Sequence, residues 1–568
     1  MTRTPLFTLV HRAIHLARLA ERSGLPAREV VALYHARHDV GVAATLARLG
    51  GSADGAGAAT GRGARDWSRR GFLVTSAGAV AGLSLGGCGL RTPPVVRRPD
   101  EPVLIVGAGI AGLSAAYRLQ QRQIPVRVFE AQERVGGRMY SLRDYFADGQ
   151  VVELGGELID TDHGNIRSLA EELDIALDDL AQETPGIATG VWFFGGAKRT
   201  EAEIVEALQP VARRLESDRE ALGDDDITYR SRGAAVRLDR MSLEEWLDAA
   251  GATGWSRRLL EVAFTAEFGL EPGQQSGLGI IDMLEVEPFH IFGDSDERFR
   301  AHDGNDAIPN ALAQRLGDRV ERETELEAIS RTADGRYRLS LRRGGTSYDA
   351  TSTHVIITIP FTMLRRVRID APMPDVKRRG IEELGYGTNA KLMIGFSERI
   401  WRERYGSDGS SMAELPYQTT WETSRHQSGR AGVLTNFTGG RHGAMLGTGT
   451  PAEQAARTVA DLEQIFPGIS GLRAGMQTAR FHWPTNRWVQ GSYGCYMPGQ
   501  WTGFGGSEGE PAGRLFFAGE HTSRRAQGFM EGGCESGERA AAEVLRDLGL
   551  RISRAPVSRR GLFALATR

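Results

Sequence analysis

The feature that most constrains this chain is a glycine run at the junction of a strand and a helix. Residues Gly107 to Gly112 read GAGIAG and follow the apolar run Val103-Leu104-Ile105-Val106. Such a short, unbroken, β-rich run fits a buried parallel strand. Gly107 allows a tight turn, Gly109 lets the backbone approach a pyrophosphate, and Gly112 lets the next helix (Leu113 to Gln120) sit close to the sheet. Ile110 and Ala111 lie where that helix begins, and its unpaired N–H groups and partial positive charge suit phosphates. The next apolar run, Val126-Arg127-Val128-Phe129, ends at Glu130, 18 residues beyond Gly112, where a carboxylate can accept from a ribose hydroxyl. An acid there favours a ribose without a 2′-phosphate, hence NAD or FAD over NADP. Near the other end of the chain come Leu515-Phe516-Phe517-Ala518-Gly519-Glu520 and then GFMEGGCESGERAA from Gly528. A dinucleotide site is announced at one end and completed at the other, so everything between is inserted into, or packed against, one cofactor fold.

Glu133-Arg134-Val135-Gly136-Gly137-Arg138 follows Glu130 almost at once, and Glu153-Leu154-Gly155-Gly156 comes soon after. The first resembles the paired-glycine motif of the FAD-dependent flavin monoamine oxidase and L-amino-acid oxidase family, and the second resembles the strand that follows it there. The closing FFAGE and GFMEGG…SGERAA match the same family. Asp303-Gly304-Asn305 before a helix, Thr358-Ile359-Pro360 at a strand end and the spacing Gly387…Lys391…Phe396…Trp401 agree with it. The resemblance covers about residues 100 to 548, and its two ends are its most specific parts. It implies FAD as cofactor, with Gly136, Gly137, Arg138, Gly155, Gly156 and Leu326 beside it from the first part of the chain, and Gly519, Glu520, Phe529 and Met530 from the last.

The implied fold is α/β: a Rossmann-like, glutathione-reductase-like FAD-binding domain with an inserted α+β substrate-binding domain. The FAD domain is expected from 100–165, 296–350 and 500–548, and the substrate domain from 166–295, mostly helical, and 351–499, mixed with a sheet. At 568 residues the chain has ample length for both, and a net charge of −3 carries no nucleic-acid bias. Its three cysteines, Cys88, Cys495 and Cys534, form no CxxC and no zinc pattern, so no metal is expected.

Flavin oxidation of an amine needs a C–H beside a neutral nitrogen held against flavin N5; the cofactor performs the transfer while the protein positions and desolvates. In the family a lysine holds a water near N5, and Lys391 in GYGTNAKLMIGF matches it. From the residues alone, a lysine directly before a strand-like run is costly if it points inward unpaired, and a solvated strand edge is the alternative. Phe529 matches an aromatic that lines the substrate channel, where a flat ring packs the substrate and excludes water; a core phenylalanine is the competing reading. Met530 matches a residue whose backbone contacts the flavin. Gly491 falls where mitochondrial monoamine oxidases carry a flavin-linked cysteine, and Ser492 where they carry a second aromatic. FAD is therefore expected to be noncovalent, with Cys495 as a displaced alternative link.

Leu158 stands where many L-amino-acid oxidases place an arginine for the substrate carboxylate. Glu157, Asp160 and Asp162 instead suggest a site for a cation such as an alkylammonium or guanidinium group, against a solvated turn that caps the helix near Asn165. Arg525, with Arg524, offers a carboxylate partner by another route, with contact to phosphate or solvent as the alternative. Met241-Ser242-Leu243-Glu244-Glu245 reads as a capping box, Arg213-Arg214-Leu215-Glu216 as the solvated face of a helix, and His482 as a packed strand residue.

The first hundred residues differ in character. Residues 1–66 read as a helical arm, with helices near Leu6 to Leu19 and Ala27 to Ala36, and a flexible Gly/Ala/Ser-rich linker. In 67–99, Ser68-Arg69-Arg70-Gly71-Phe72-Leu73 before a modest apolar stretch resembles a twin-arginine export signal, and Leu85-Gly86-Gly87-Cys88 a lipoprotein box with Cys88 acylated. Ser558-Arg559-Arg560-Gly561-Leu562-Phe563, in the tail 549–568, has nearly the same letters without room for the apolar segment. An arm before the arginines is unusual: either it is a real cytoplasmic element or the start codon is assigned too early.

The expected protein is an exported, periplasmic FAD enzyme that deaminates a primary amine or L-amino acid. Oxygen or a membrane quinone would accept its electrons. Its partners would be the twin-arginine translocase during export, a membrane tether through Cys88 and a second copy in a homodimer. Two other readings stand beside it: a carotenoid-desaturase or protoporphyrinogen-oxidase-like enzyme, and a non-catalytic flavoprotein partner.

Overall fold

In this computed structural model, residues 5–39, 101–181, 187–223, 226–284, 296–473 and 475–550 are described. The twin-arginine motif, the lipobox with Cys88 and the C-terminal tail beyond residue 550 lie outside them. Among the described residues no helix is long and apolar enough to cross a membrane.

The glycine run is seated in a five-stranded sheet. Its spatial order is Leu515–Phe517, Val355–Ile357, Val103–Val106, Val126–Phe129 and Val320–Glu321, with every neighbouring pair parallel. Val103–Val106 is central and buried along its whole length, as its unbroken apolar run requires. The helix Ile110–Gln121 returns over it, burying Leu113, Ala116 and Leu119 with Ile105, Val128 and Ile356. The closing helix Met530–Asp547 packs against that first helix. Its glycines permit the approach: a Cβ on Gly537 would lie 2.2 Å from the Ala111 carbonyl oxygen. The first glycine motif and the closing motif thus share one core.

The expected boundary at 350 is corrected, because the second strand of this sheet is Val355–Ile357. A four-stranded sheet beside it, ordered Thr346–Ser352, Tyr337–Arg343, Thr324–Arg331 and Arg368–Asp370, carries the same body on to about residue 370. The reason is the buried run Val355-Ile356-Ile357, which pairs with both Val103–Val106 and Leu515–Phe517.

A seven-stranded sheet carries the other half of the molecule. Its order is Thr478–His482, Ala390–Phe396, Gly432–Thr438, Thr419–Glu422, Ser411–Ala413, Val191–Phe194 and Ala197–Arg199. Its last two strands are a hairpin from the insertion expected to be helical, joined in parallel to Ser411–Ala413. Helices Glu201–Ala207, Gln209–Leu222, Leu243–Ala249 and Gly254–Phe268 make up much of the rest of that insertion, and Ser242 opens one of them through the expected capping box.

The N-terminal helix Pro5–Ser23 packs on Gln209–Leu222. It buries Leu9, Val10, Ala13, Ile14, Leu16 and Ala17, and Arg18 and Arg22 pair with Glu216 while Glu21 pairs with Arg213. The expected solvated face at Arg213–Glu216 is therefore corrected: it is the seat of this helix. Its charges look solvent-bound in sequence because their partners lie nearly two hundred residues away. A second helix, Ala27–Asp39, follows.

Candidate active site

One cavity of about 540 Å³ runs from the glycine turn to the seven-stranded sheet. At the dinucleotide end the wall is mostly backbone. Gly107 has φ +103°, and a Cβ there would sit 2.6 Å from Thr358 Oγ1, which itself donates to the Val106 carbonyl. A Cβ on Gly112 would lie 2.0 Å from the Gly107 carbonyl oxygen, so only glycine closes this turn. Gly109 caps the helix Ile110–Gln121 with no side-chain hydrogen bond, leaving the first N–H groups of that helix to a ligand. Gly137, at φ +58°, comes against Gly109 from the paired-glycine motif, and Gly136 N–H donates to the Ala108 carbonyl at 2.8 Å. Glu130 lines the cavity, yet its carboxylate accepts from Ala108 N–H at 2.8 Å and Gln132 N–H at 2.9 Å. It therefore braces the turn from the cavity wall, and burial raises its pKa.

Arg138 ties this end to the closing motif. Its guanidinium donates to Glu520 Oε1 and to the Ser492 carbonyl, each at 2.7 Å, while Glu520 Oε2 accepts from Gly528 N–H at 2.7 Å. Met530 Cγ would meet a Cβ on Gly156 at 2.7 Å, and a Cβ on Gly155 would strike the Arg138 carbonyl oxygen at 1.8 Å. Four separated motifs thus meet at one wall, which explains why their glycines admit no side chain.

The opposite end is built from ionisable and aromatic side chains. Lys391 sits on Ala390–Phe396, an interior strand between Gly432–Thr438 and Thr478–His482. Leu392, Ile394 and Phe396 fill the core on one face, so the alternating face carries Lys391 to the cavity. Its Nζ donates to Glu157 Oε2 at 2.7 Å and to the Glu153 carbonyl at 3.2 Å. Glu157 also accepts from Trp421 Nε1 at 3.0 Å and from the Thr423 hydroxyl. Burial opposes ionisation of Glu157, but the charge and hydrogen bond of Lys391 outweigh it and hold the carboxyl below its ordinary range. An ammonium has three donors; two are spent here, and the third is left for a water or ligand. The inward lysine is therefore paired, and Glu157, expected to meet a substrate cation, is corrected to be Lys391's counter-ion.

Phe529 stands at the N-terminus of the closing helix, its ring 5.1 Å from His163 in an edge contact, and lines the cavity. Trp421 and Phe437, with ring centroids 5.6 Å apart, line it from the sheet, joined by Trp483 and Tyr493. Ser492 lines the wall, but its hydroxyl is engaged with Asn389 Oδ1 at 2.7 Å. Leu326 lines the wall as well, from the four-stranded sheet. Cys495 is buried and is not a lining residue. Arg525 is corrected: it lies on an exposed turn away from the cavity, and Arg524 beside it pairs with Asp226.

Asp160 is buried and lines the cavity, while Asp162 is exposed. The cap of helix Gly164–Glu172 comes from Glu531 of the closing motif, which accepts from Asn165 and Ile166 N–H. Sequence reasoning missed Trp421, Phe437 and Glu297 as lining residues. For the aromatic residues alternation along apolar strands was the available signal; Glu297, in a run of charges, offered none.

The profile of the family described as flavin containing amine oxidoreductase matches residues 110–545. The chain is 25% identical over 477 residues to an L-amino acid dehydrogenase of Synechocystis sp., covering 81% of this chain and 98% of that protein. It is similar to a solved putrescine oxidase bound to putrescine, with TM-score 0.68, 20% identity and coverage of 78% of this chain and 99% of that one. A cyclohexylamine oxidase from Brevibacterium oxydans gives TM-score 0.69 at 22% identity, covering 79% and 100%.

Proposed function

Because the chain belongs to the family of flavin-containing amine oxidoreductases, FAD-dependent enzymes that act on amines, we propose that it deaminates a primary amine, or an L-amino acid, to an imine that water converts to a carbonyl and ammonia. The carrying observation is the buried Lys391–Glu157 pair on the wall of the same cavity as the glycine turn and Phe529.

The residues present fit a bound FAD. Gly107, Gly109, Ile110, Ala111 and Gly112 would take the pyrophosphate, Glu130 the ribose, and Gly136, Gly137, Gly155, Gly156, Gly519 and Met530 the close approach of the rest. Arg138 and Glu520 would lock the two ends around it. Cys495 lies off the cavity wall, which supports a noncovalent cofactor. When bound, FAD supplies the two-electron acceptor for the C–H beside the amine nitrogen. Phe529 and Trp421 flank the substrate and exclude water. Lys391 uses its third donor to hold a water in the cavity, and Glu157 holds that side chain in place. Dioxygen, giving hydrogen peroxide, or a membrane quinone takes the electrons.

Anaerobic mixing of the full-chain holoenzyme with amines and L-amino acids tests the reading. Bleaching of the flavin band by a primary amine is the expected result, and bleaching by none would overturn it. We further read Ser68–Leu73 and Leu85–Cys88 as signals for twin-arginine export and a lipid tether. Loss of membrane association on Cys88→Ser is the expected outcome in cell fractionation.

A further inference from the structure

The acids of the cavity are not equivalent. Glu157 is spent on Lys391, Trp421 and Thr423. Asp160 Oδ1 accepts from the Glu297 N–H at 2.7 Å, and its Oδ2 lies 3.2 Å from His163 Nε2. Burial lowers the His163 pKa to about 3, so this histidine is neutral. Glu297 differs from both. It is 7% exposed and lines the cavity, yet its carboxyl makes no hydrogen bond or ion pair with any described residue. Its surroundings are acidic: Asp160, Glu267 and Glu157 all act on it, and Arg425, the nearby cation, forms no salt bridge with it. Burial and these like charges push its pKa well above the ordinary carboxylate range. A buried carboxyl left without a partner is expensive unless a ligand completes it.

Resting on the amine-oxidising reading above, we propose that Glu297 receives a second cationic group of the substrate, an ammonium or guanidinium carried by the molecule whose other nitrogen is oxidised near Lys391. Glu297 belongs to the Lys391 end of the cavity because its electrostatic neighbours include Glu157, which is 2.7 Å from Lys391. Asp160 positions it by fixing its backbone N–H, at a φ of +45° that non-glycine residues adopt only rarely. A distal cation gives Glu297 the partner it lacks and offsets three nearby acids at once.

The test compares substrates of matched length on the holoenzyme: diaminobutane against butylamine, and L-lysine against L-norleucine. A hydrogen bond between charged groups predicts that the dicationic member is preferred in kcat/KM by roughly 10- to 100-fold, chiefly through KM. In Glu297→Gln this ratio falls to near one, and Glu297→Asp recovers part of it. A wild-type ratio near one, or an equal loss on both members of each pair in Glu297→Gln, overturns the proposal while leaving amine oxidation standing. If no amine is oxidised, the functional reading fails, and calorimetry decides this inference: diaminobutane must bind the wild type more tightly than butylamine, and bind Glu297→Gln no more tightly.

Discussion

The two ends of the cavity are made of different materials. The dinucleotide end is backbone: Gly107, Gly112, Gly136 and Gly155 are there because a Cβ has no room, and Glu130 spends its carboxylate on turn N–H groups. The amine end is side chain: Lys391, Glu157, Trp421 and Glu297 come from separate parts of the chain and depend on one another's charge. A steric site tolerates almost no change in shape, whatever the charges around it. An electrostatic site tolerates shape and fails when one charge is removed. Substitutions at each end can break that contrast.

The largest effect belongs to Gly112→Val. Its Cβ would overlap the Gly107 carbonyl oxygen at 2.0 Å, so purified protein is expected without flavin absorbance and in much lower yield. Gly109→Ala separates fold from cofactor, because its Cβ meets nothing closer than Gly137 Cα at 4.0 Å. That variant should fold, with thermal unfolding near wild type, and bind FAD about 10- to 100-fold more weakly as its methyl group crowds the pyrophosphate path. Normal flavin content in Gly109→Ala would mean that the cofactor does not approach this backbone.

At the amine end, Lys391→Met should destabilise the protein by about 3–5 kcal/mol, because it strands Glu157 as a buried, uncompensated charge. Lys391→Met combined with Glu157→Gln should recover most of that loss in a urea titration without restoring turnover. If the double variant is no more stable than the single, the pair does not carry the coupling its 2.7 Å contact implies.

How much of this was legible in sequence follows from the same contrast. Glycine spacing is local, and the closing motif names its own partners, so the nucleotide fold and its buried central strand could be read from the residues alone. Lys391 was also legible, as a charge at the head of an apolar strand. Its counter-ion was not: 234 residues separate it from Glu157, and an acid beside Asp160 and Asp162 looks like part of a solvated or substrate-facing cluster. Glu297 was hidden in the charged run Asp294-Ser295-Asp296-Glu297-Arg298, where nothing local marks its carboxyl as a cavity group. Arg213–Glu216 failed the same way, since its partners are on the N-terminal helix. The boundary at 350 failed because Val355–Ile357 is too short to declare which sheet it joins.

The smallest expected effect is in pH, and it has opposite signs on neighbouring acids. Glu157 has a depressed pKa, so its contribution is present above its unfolded value near 4.5 and is lost as pH falls through the lower folded value. Glu153, close by in the chain, is buried with its carboxyl held by Asn305 N–H and Ser141 Oγ. Burial pushes it up to about 7 from 4.5. A raised folded pKa means the folded state binds the proton more tightly, so its contribution is complete below pH 4.5 and is lost as pH rises through about 7. Glu153→Gln should therefore flatten the decline in stability between those values, by at most about 3 kcal/mol at its upper end. The same variant should leave the acid limb set by Glu157 in place. A stability profile unchanged by Glu153→Gln between pH 4.5 and 7 would show that the hydrogen bonds from Asn305 and Ser141 cancel the effect of burial. In that case the electrostatic strain of this end rests on the acids around Glu297 and not on Glu153.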